Sequence, residues 1–136
     1  MKTFEKGNLS EAKVTSKLLD IGVNVLIPFG GGHRYDLVIE QSGKFYRIQV
    51  KTGRIYNGQL VFNVCSNNKG YKRQAYHDDV EYIIVYCIEN EMCCVIPIHE
   101  TGKSEMKLRL ATSGDNCGAR VRYAHDYLLC SSSFDN

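Results

Sequence analysis

RYDLVIEQSGKFYRIQVKTGR, residues 34–54, is the stretch that decides the fold. It reads as a β-hairpin, with one strand over residues 34–41, a turn at Ser42-Gly43 and a returning strand over residues 44–53. A two-residue loop sets Gln41 against Lys44 and, further out, Asp36 against Gln49. Opposed residues of an antiparallel pair share a face, their Cβ atoms roughly 5 Å apart. Strand period two brings Lys51 to that face as well. A carboxylate, an amide and an ammonium therefore gather on one side of the hairpin. Leu37, Ile39, Tyr46, Ile48 and Val50 occupy the other, a suitable core face.

Working outward, the segment before the hairpin predicts a helix over residues 8–20, capped by Asn8 and stopped by Gly22. At about 100° per residue, Leu9, Ala12, Val14, Leu18, Leu19 and Ile21 spread over a broad apolar arc. Glu11 falls inside that arc. Either it is a rim residue whose carboxylate reaches water, or it aims at a site beside the core and needs a cation or hydrogen bonds there. Residues 23–29 read as a short strand. Gly30-Gly31-Gly32 then forms a connection without phosphate-loop spacing, so a loop or a backbone passing close to a ligand is the better reading. His33 beside it reads as incidental.

Beyond the hairpin, Asn57-Gly58 signals a tight turn and residues 59–66 alternate as a strand. Residues 67–79 are polar and basic, with Lys69, Lys72 and Arg73 interleaved with Tyr71 and Tyr76. That pattern suits phosphate contacts and base stacking, or simply a solvated loop. Residues 81–88 (EYIIVYCI) are apolar almost throughout, which predicts a strand buried on both faces in the middle of a mixed sheet. Residues 92–98 return as its hairpin partner. Residues 103–111 alternate, with Met106, Leu108 and Leu110 on one side and Lys107 and Arg109 on the other. A loop over 112–118 and a short closing helix over 119–130 are expected, that helix turning Val121, Ala124, Tyr127 and Leu128 inward, followed by a frayed SSSFDN tail.

Composition sets the bounds. The chain has 136 residues, 43% of them apolar, which suits one folded domain over residues 1–136. Its 17 basic and 15 acidic residues give a net charge of +2, so any polyanion would be met by patches rather than by total charge. No apolar run is long enough for a membrane helix. The polar start MKTFEKGNLSEAK does not read as a signal peptide, so a cytoplasmic, bacterial setting is expected. The six cysteines lack Cys-x-x-Cys spacing; they read as reduced, mostly buried thiols rather than zinc ligands.

Glutamate in the first helix, aspartate on the second strand and Gln-x-Lys on the third together resemble the PD-(D/E)XK nuclease superfamily, in particular its group I intron-encoded homing endonuclease branch. The residues concerned are Ser10-Glu11-Ala12, Pro28, Arg34-Tyr35-Asp36-Leu37-Val38 and Arg47-Ile48-Gln49-Val50-Lys51. The likeness covers residues 5–98, with a looser echo in 76–86 and an extension over 99–136. Tyr35 stands where the superfamily has Pro, and Gln49 where it has an acid. An amide is a weaker metal ligand than a carboxylate, and Glu11 is the residue that would make up the loss.

The resemblance implies an α/β (α+β) restriction-endonuclease-like core, a mixed β-sheet flanked by helices. It implies hydrolysis of a DNA phosphodiester with Mg²⁺, or Mn²⁺ in its place, leaving a 5′-phosphate and a 3′-hydroxyl. Glu11, Asp36 and the Val50 carbonyl would hold the ion; Gln49 would complete the site; Lys51 would orient or deprotonate the attacking water. One such site cuts one strand, so double-stranded DNA calls for a homo-oligomer, a dimer or a tetramer. DNA contacts are expected from Arg54, Lys69, Lys72, Arg73, Lys107, Arg109, Arg120 and Arg122, with no membrane and no organic cofactor involved. A junction-resolvase-like nuclease and a non-catalytic DNA-binding protein on the same fold are the alternatives.

Overall fold

The computed structural model describes residues 1–66, 74–76, 78–111 and 121–135. Helix α1 spans Thr3–Asp20, starting earlier than expected. Lys2, not Asn8, is its cap, and Glu5 accepts the Lys2 backbone N–H at 3.1 Å. Gly7 does not break it, since one glycine costs only about 1 kcal/mol in a helix. Gly22, at φ 80°, ends it as expected. The buried stripe is Ser10, Val14 and Leu18, spaced by four; Ala12 and Leu19, placed in the apolar arc by the sequence, face solvent. Buried Ser10 is satisfied by the Thr52 hydroxyl at 2.7 Å.

Strands β1 (Asn24–Leu26), β2 (Leu37–Gln41) and β3 (Lys44–Tyr56) follow. β1 stops short of the expected Phe29, because Pro28 has no N–H for a ladder. Both predicted turns form. Ser42 and Gly43 have φ of 54° and 77°, Asn57 and Gly58 of 51° and 72°, the double left-handed backbone of hairpin loops. Gln41 pairs with Lys44 and Leu37 with Ile48, the expected register.

β3 runs on well past Gly53 into a second hairpin with β4 (Gln59–Asn63). Short strands β5 (Cys65–Ser66) and β6 (Gln74–Ala75) pair with each other. β7 (Tyr82–Cys87) lies parallel to β3 and is buried along its whole length, as its apolar run predicts. β8 (Cys93–Pro97) pairs antiparallel with β7, and β9 (Glu105–Arg109) with β4. The sheet order is β1-β2-β3-β4-β9, with β7 and then β8 branching from β3.

Two apolar clusters cover the two faces. One joins Val14 and Leu18 of α1 to Leu37, Ile39, Ile48, Val50 and Ile84. The other joins Leu60, Phe62 and Leu108 to Ile83, Val85 and Ile96, so the β4–β9 ribbon folds over β7 and β8. The fold thus has the mixed sheet expected, with α1 on one face and its own ribbon on the other. Cys65, Cys87, Cys93 and Cys94 are buried free thiols and Cys130 is exposed; Cys117 lies outside the described residues.

Two expectations for the C-terminus fail. No α-helix forms over the described part of 119–130; a single 3-10 turn, Ala124–Tyr127, sits between bridges from Tyr123 to Arg109 and from Leu128 to Cys94. Pairing with β9 and β8 overrides the local helical pattern, and Leu129 rather than Leu128 points inward. The tail is also docked, with Phe134 only 2% exposed and packed against Tyr46 and Tyr82 at centroid distances of 6.4 and 5.1 Å.

Candidate active site

β3 changes partners along one edge, and the site lies at the change. Backbone groups of a strand alternate between edges, so Ile48, Val50, Thr52 and Arg54 turn theirs to the same side. β2 occupies that edge up to Ile48 and β4 takes it from Arg54 onward. In the interval, the Asp36 carboxylate takes the place of a backbone partner. It accepts the Val50 N–H at 2.8 Å, while the Asp36 N–H donates to the Ile48 carbonyl at 2.9 Å. The Val50 carbonyl shares the edge of its own N–H and so faces the Asp36 side. The regular ladder ends at Leu37–Ile48, one pair short of the Asp36–Gln49 pairing that the sequence predicts, and the Asp36 N–H turns to the Ile48 carbonyl instead.

Glu11 lies on α1, which packs on the opposite face of the sheet from Lys51, and its carboxyl feels the Asp36 charge. Burial, and then the negative charge of Asp36, raise the Glu11 carboxyl above its usual range. Burial raises Asp36 too, against the lowering effects of the Val50 N–H and the Lys51 charge. Two carboxylates that each resist ionisation, one feeling the other, form a site a cation would stabilise. The donors are all oxygen: two carboxylates, an amide and a backbone carbonyl. That chemistry fits a hard divalent ion such as Mg²⁺. Among the described residues, no three His, Cys, Asp or Glu side chains cluster as a ligand set; Glu11 and Asp36 are the two carboxyls of the candidate set.

Lys51 leaves β3 on the face of the second apolar cluster. Its ammonium donates to the Cys65 carbonyl at 3.1 Å and to the Tyr76 hydroxyl at 3.3 Å. Burial holds it below the usual lysine range; Cys65 and Asp36 pull it back up and Arg34 adds to the lowering. The Tyr76 ring lies between two cations, with Arg34 at 4.4 Å and Lys51 at 4.8 Å from its centroid. Arg34 is held in turn by Asp79 at 3.1 Å.

The sequence reading missed this supporting set of Arg34, Tyr76, Asp79 and the Cys65 carbonyl. The only local signal was the basic and aromatic character of residues 67–79, which says nothing of Lys51. Of the expected DNA contacts, Arg54, Lys107 and Arg109 share one face of the β3-β4-β9 ribbon, by the registers Arg54–Val61–Lys107 and Tyr56–Gln59–Arg109. Arg54 is paired with Glu105 at 3.4 Å. Arg122 is turned instead to Glu100, donating to its carbonyl at 2.7 Å. Lys69, Lys72, Arg73 and Arg120 lie outside the described residues.

A family model described as PD-(D/E)XK endonuclease matches residues 1–130. Among solved structures, a bacterial homing endonuclease, I-Ssp6803I, is similar with a TM-score of 0.74 and 26% sequence identity. The likeness covers 94% of this chain and 89% of that one. No curated protein matches.

Proposed function

We propose, from the premise that this chain belongs to the PD-(D/E)XK endonuclease family, that it is a sequence-specific endonuclease of the intron-homing type. Its substrate is double-stranded DNA, and its cofactor is Mg²⁺ or Mn²⁺. The similarity to a bacterial homing endonuclease supports the homing type. The observation that supports the chemistry is the Asp36 carboxylate held against the Val50 N–H in the gap between β2 and β4, with its charge felt by Glu11 of α1 and by Lys51.

Glu11, Asp36 and the Val50 carbonyl are the oxygens that would hold the ion. When bound, the ion supplies charge neutralisation at the phosphate and a more acidic water. Gln49, beside Val50 on β3, has a side-chain oxygen and an amide N–H with which to fix that water. An ammonium has three N–H donors. Lys51 commits two to Cys65 and Tyr76, which leaves the third for the phosphate or the attacking water. Its lowered pKa brings the neutral amine, the form able to accept a proton, closer to working pH.

Each chain carries one such constellation, so cutting both strands requires at least two copies. A symmetric homo-oligomer on a near-palindromic target meets that requirement. Selection of cleaved sites from a randomised DNA library with Mg²⁺ tests the whole reading. One recovered site with two-fold symmetry is the expected result. Preference for a four-way junction over linear DNA would favour a resolvase-like nuclease, and DNA binding without cleavage under any divalent ion would mean a binding protein.

A further inference from the structure

Phe29 is fully exposed, at 100%, yet the loop that presents it is held in shape. His33 Nε2 donates to the Phe29 carbonyl at 2.9 Å, and the His33 ring rests 5.4 Å from Tyr35. Gly30 and Gly32 take φ of 88° and 81°, which only glycine adopts readily. Gly31 has no such need. Its φ is ordinary, and a Cβ there would meet nothing within 4 Å. Neither backbone nor packing among the described residues calls for glycine at 31, and its absence of a side chain leaves the backbone open to close approach.

The loop's position says what approaches. Leu26 pairs with Val38, and continuing that register sets Pro28 beside Asp36. Phe29 and the glycines belong to the connection between β1 and Asp36, which returns through Arg34 to Asp79 and the Tyr76 ring beside Lys51. No Asp or Glu occurs between Asp20 and Asp36, while His33 and Arg34 do, so a phosphate backbone meets no repulsion from this segment. An apolar side chain carried on a backbone held in this way, with its ring uncovered, suits insertion between stacked bases, since less of the loop remains to be ordered.

We infer that Phe29 is a wedge, inserted between adjacent base pairs of the duplex next to the phosphate to be cut, with the glycine backbone lying along the strand. This rests on the endonuclease reading above. The wedge unstacks one step and holds the scissile phosphate at the site, so it contributes to target choice through the ease with which that step opens.

The test places 2-aminopurine at each step flanking the cut in a target recovered by the library selection. Wild-type chain and Phe29→Ala and Phe29→Leu variants are then compared for fluorescence, single-turnover cleavage and oligomeric state. The wedge predicts a severalfold rise in fluorescence at one step with wild type, retained in part by Phe29→Leu and absent with Phe29→Ala. It also predicts cleavage by Phe29→Ala slower by about tenfold or more, with oligomeric state unchanged. Wild-type fluorescence and rate in Phe29→Ala would overturn the wedge and leave the endonuclease standing. Dissociation of an oligomer by Phe29→Ala would also overturn it, assigning Phe29 to contact with a second copy. A wild-type chain that neither binds nor cuts duplex DNA would remove both readings.

Discussion

Glu11 shows how far single residues could be read from the sequence. Its place inside an apolar arc marked it as unusual, but the arc itself was drawn too wide. Hydropathy cannot tell that Ser10 is buried and Leu19 is not; the Thr52 hydroxyl that satisfies Ser10 lies 42 positions away in the chain. The register of the hairpin, Gln41 against Lys44 through Leu37 against Ile48, was legible because strand period and a two-residue turn fix it. Arg34 and Tyr76 were not, because their contacts cross between segments with no shared periodicity. Glu81 was also missed. It accepts the Arg47 backbone N–H and chelates its guanidinium, with a closest approach of 2.6 Å. Burial acts to raise Glu81, but these bonds outweigh it and hold its pKa below the ordinary 4.5. A depressed carboxyl contributes stability that is present above its unfolded pKa and lost as pH falls through the folded value. Glu81→Gln should therefore lower stability at pH 7 by roughly 1 kcal/mol, a modest figure because solvent screens a pair this exposed. The difference between variant and wild type should vanish as pH drops well below 4.5 in urea titrations. A difference that persisted in acid would mean that packing, not charge, is what the variant loses.

Among the elements, β3 does most to place the site. The sequence predicted ten of its 13 residues and its turn, but ended it at Gly53. Glycine usually weakens a strand interior, and here it allows close packing instead. A Cβ on Gly53 would stand 2.5 Å from Leu60 Cδ1 and 2.9 Å from Val85 Cγ2, both on fully buried side chains. Gly53 is thus where the β4–β9 ribbon folds tightly over β7. Gly53→Ala should cost about 1–3 kcal/mol by overpacking, measured by urea denaturation. Unchanged stability would show that the ribbon can shift outward. The helix was legible in its body and its glycine stop but not in its start, because Gly7 and Asn8 resemble a cap. The closing 3-10 turn was misread because bridges to β8 and β9, invisible in a local pattern, decide its shape.

At the scale of the whole molecule, the chain ends are drawn into one body with the sheet. Phe134 stacks on Tyr46 and meets Tyr82 edge to face, although SSSFDN has the composition of a loose end. Phe134→Ala should destabilise by about 3 kcal/mol, read as a lower denaturation midpoint; a negligible change would mean that the tail only rests on the core. The proposed site depends on the same convergence of distant segments, with Glu11 on α1, Asp36 just before β2 and Lys51 in β3, close enough for the Asp36 charge to act on both others. The most direct test is single-turnover cleavage of a selected target by Glu11→Gln with Mg²⁺, with DNA affinity measured in parallel. If the helix carboxylate completes the metal site, cleavage falls by about 100-fold or more while affinity holds. Cleavage by Glu11→Gln at the wild-type rate would contradict the account.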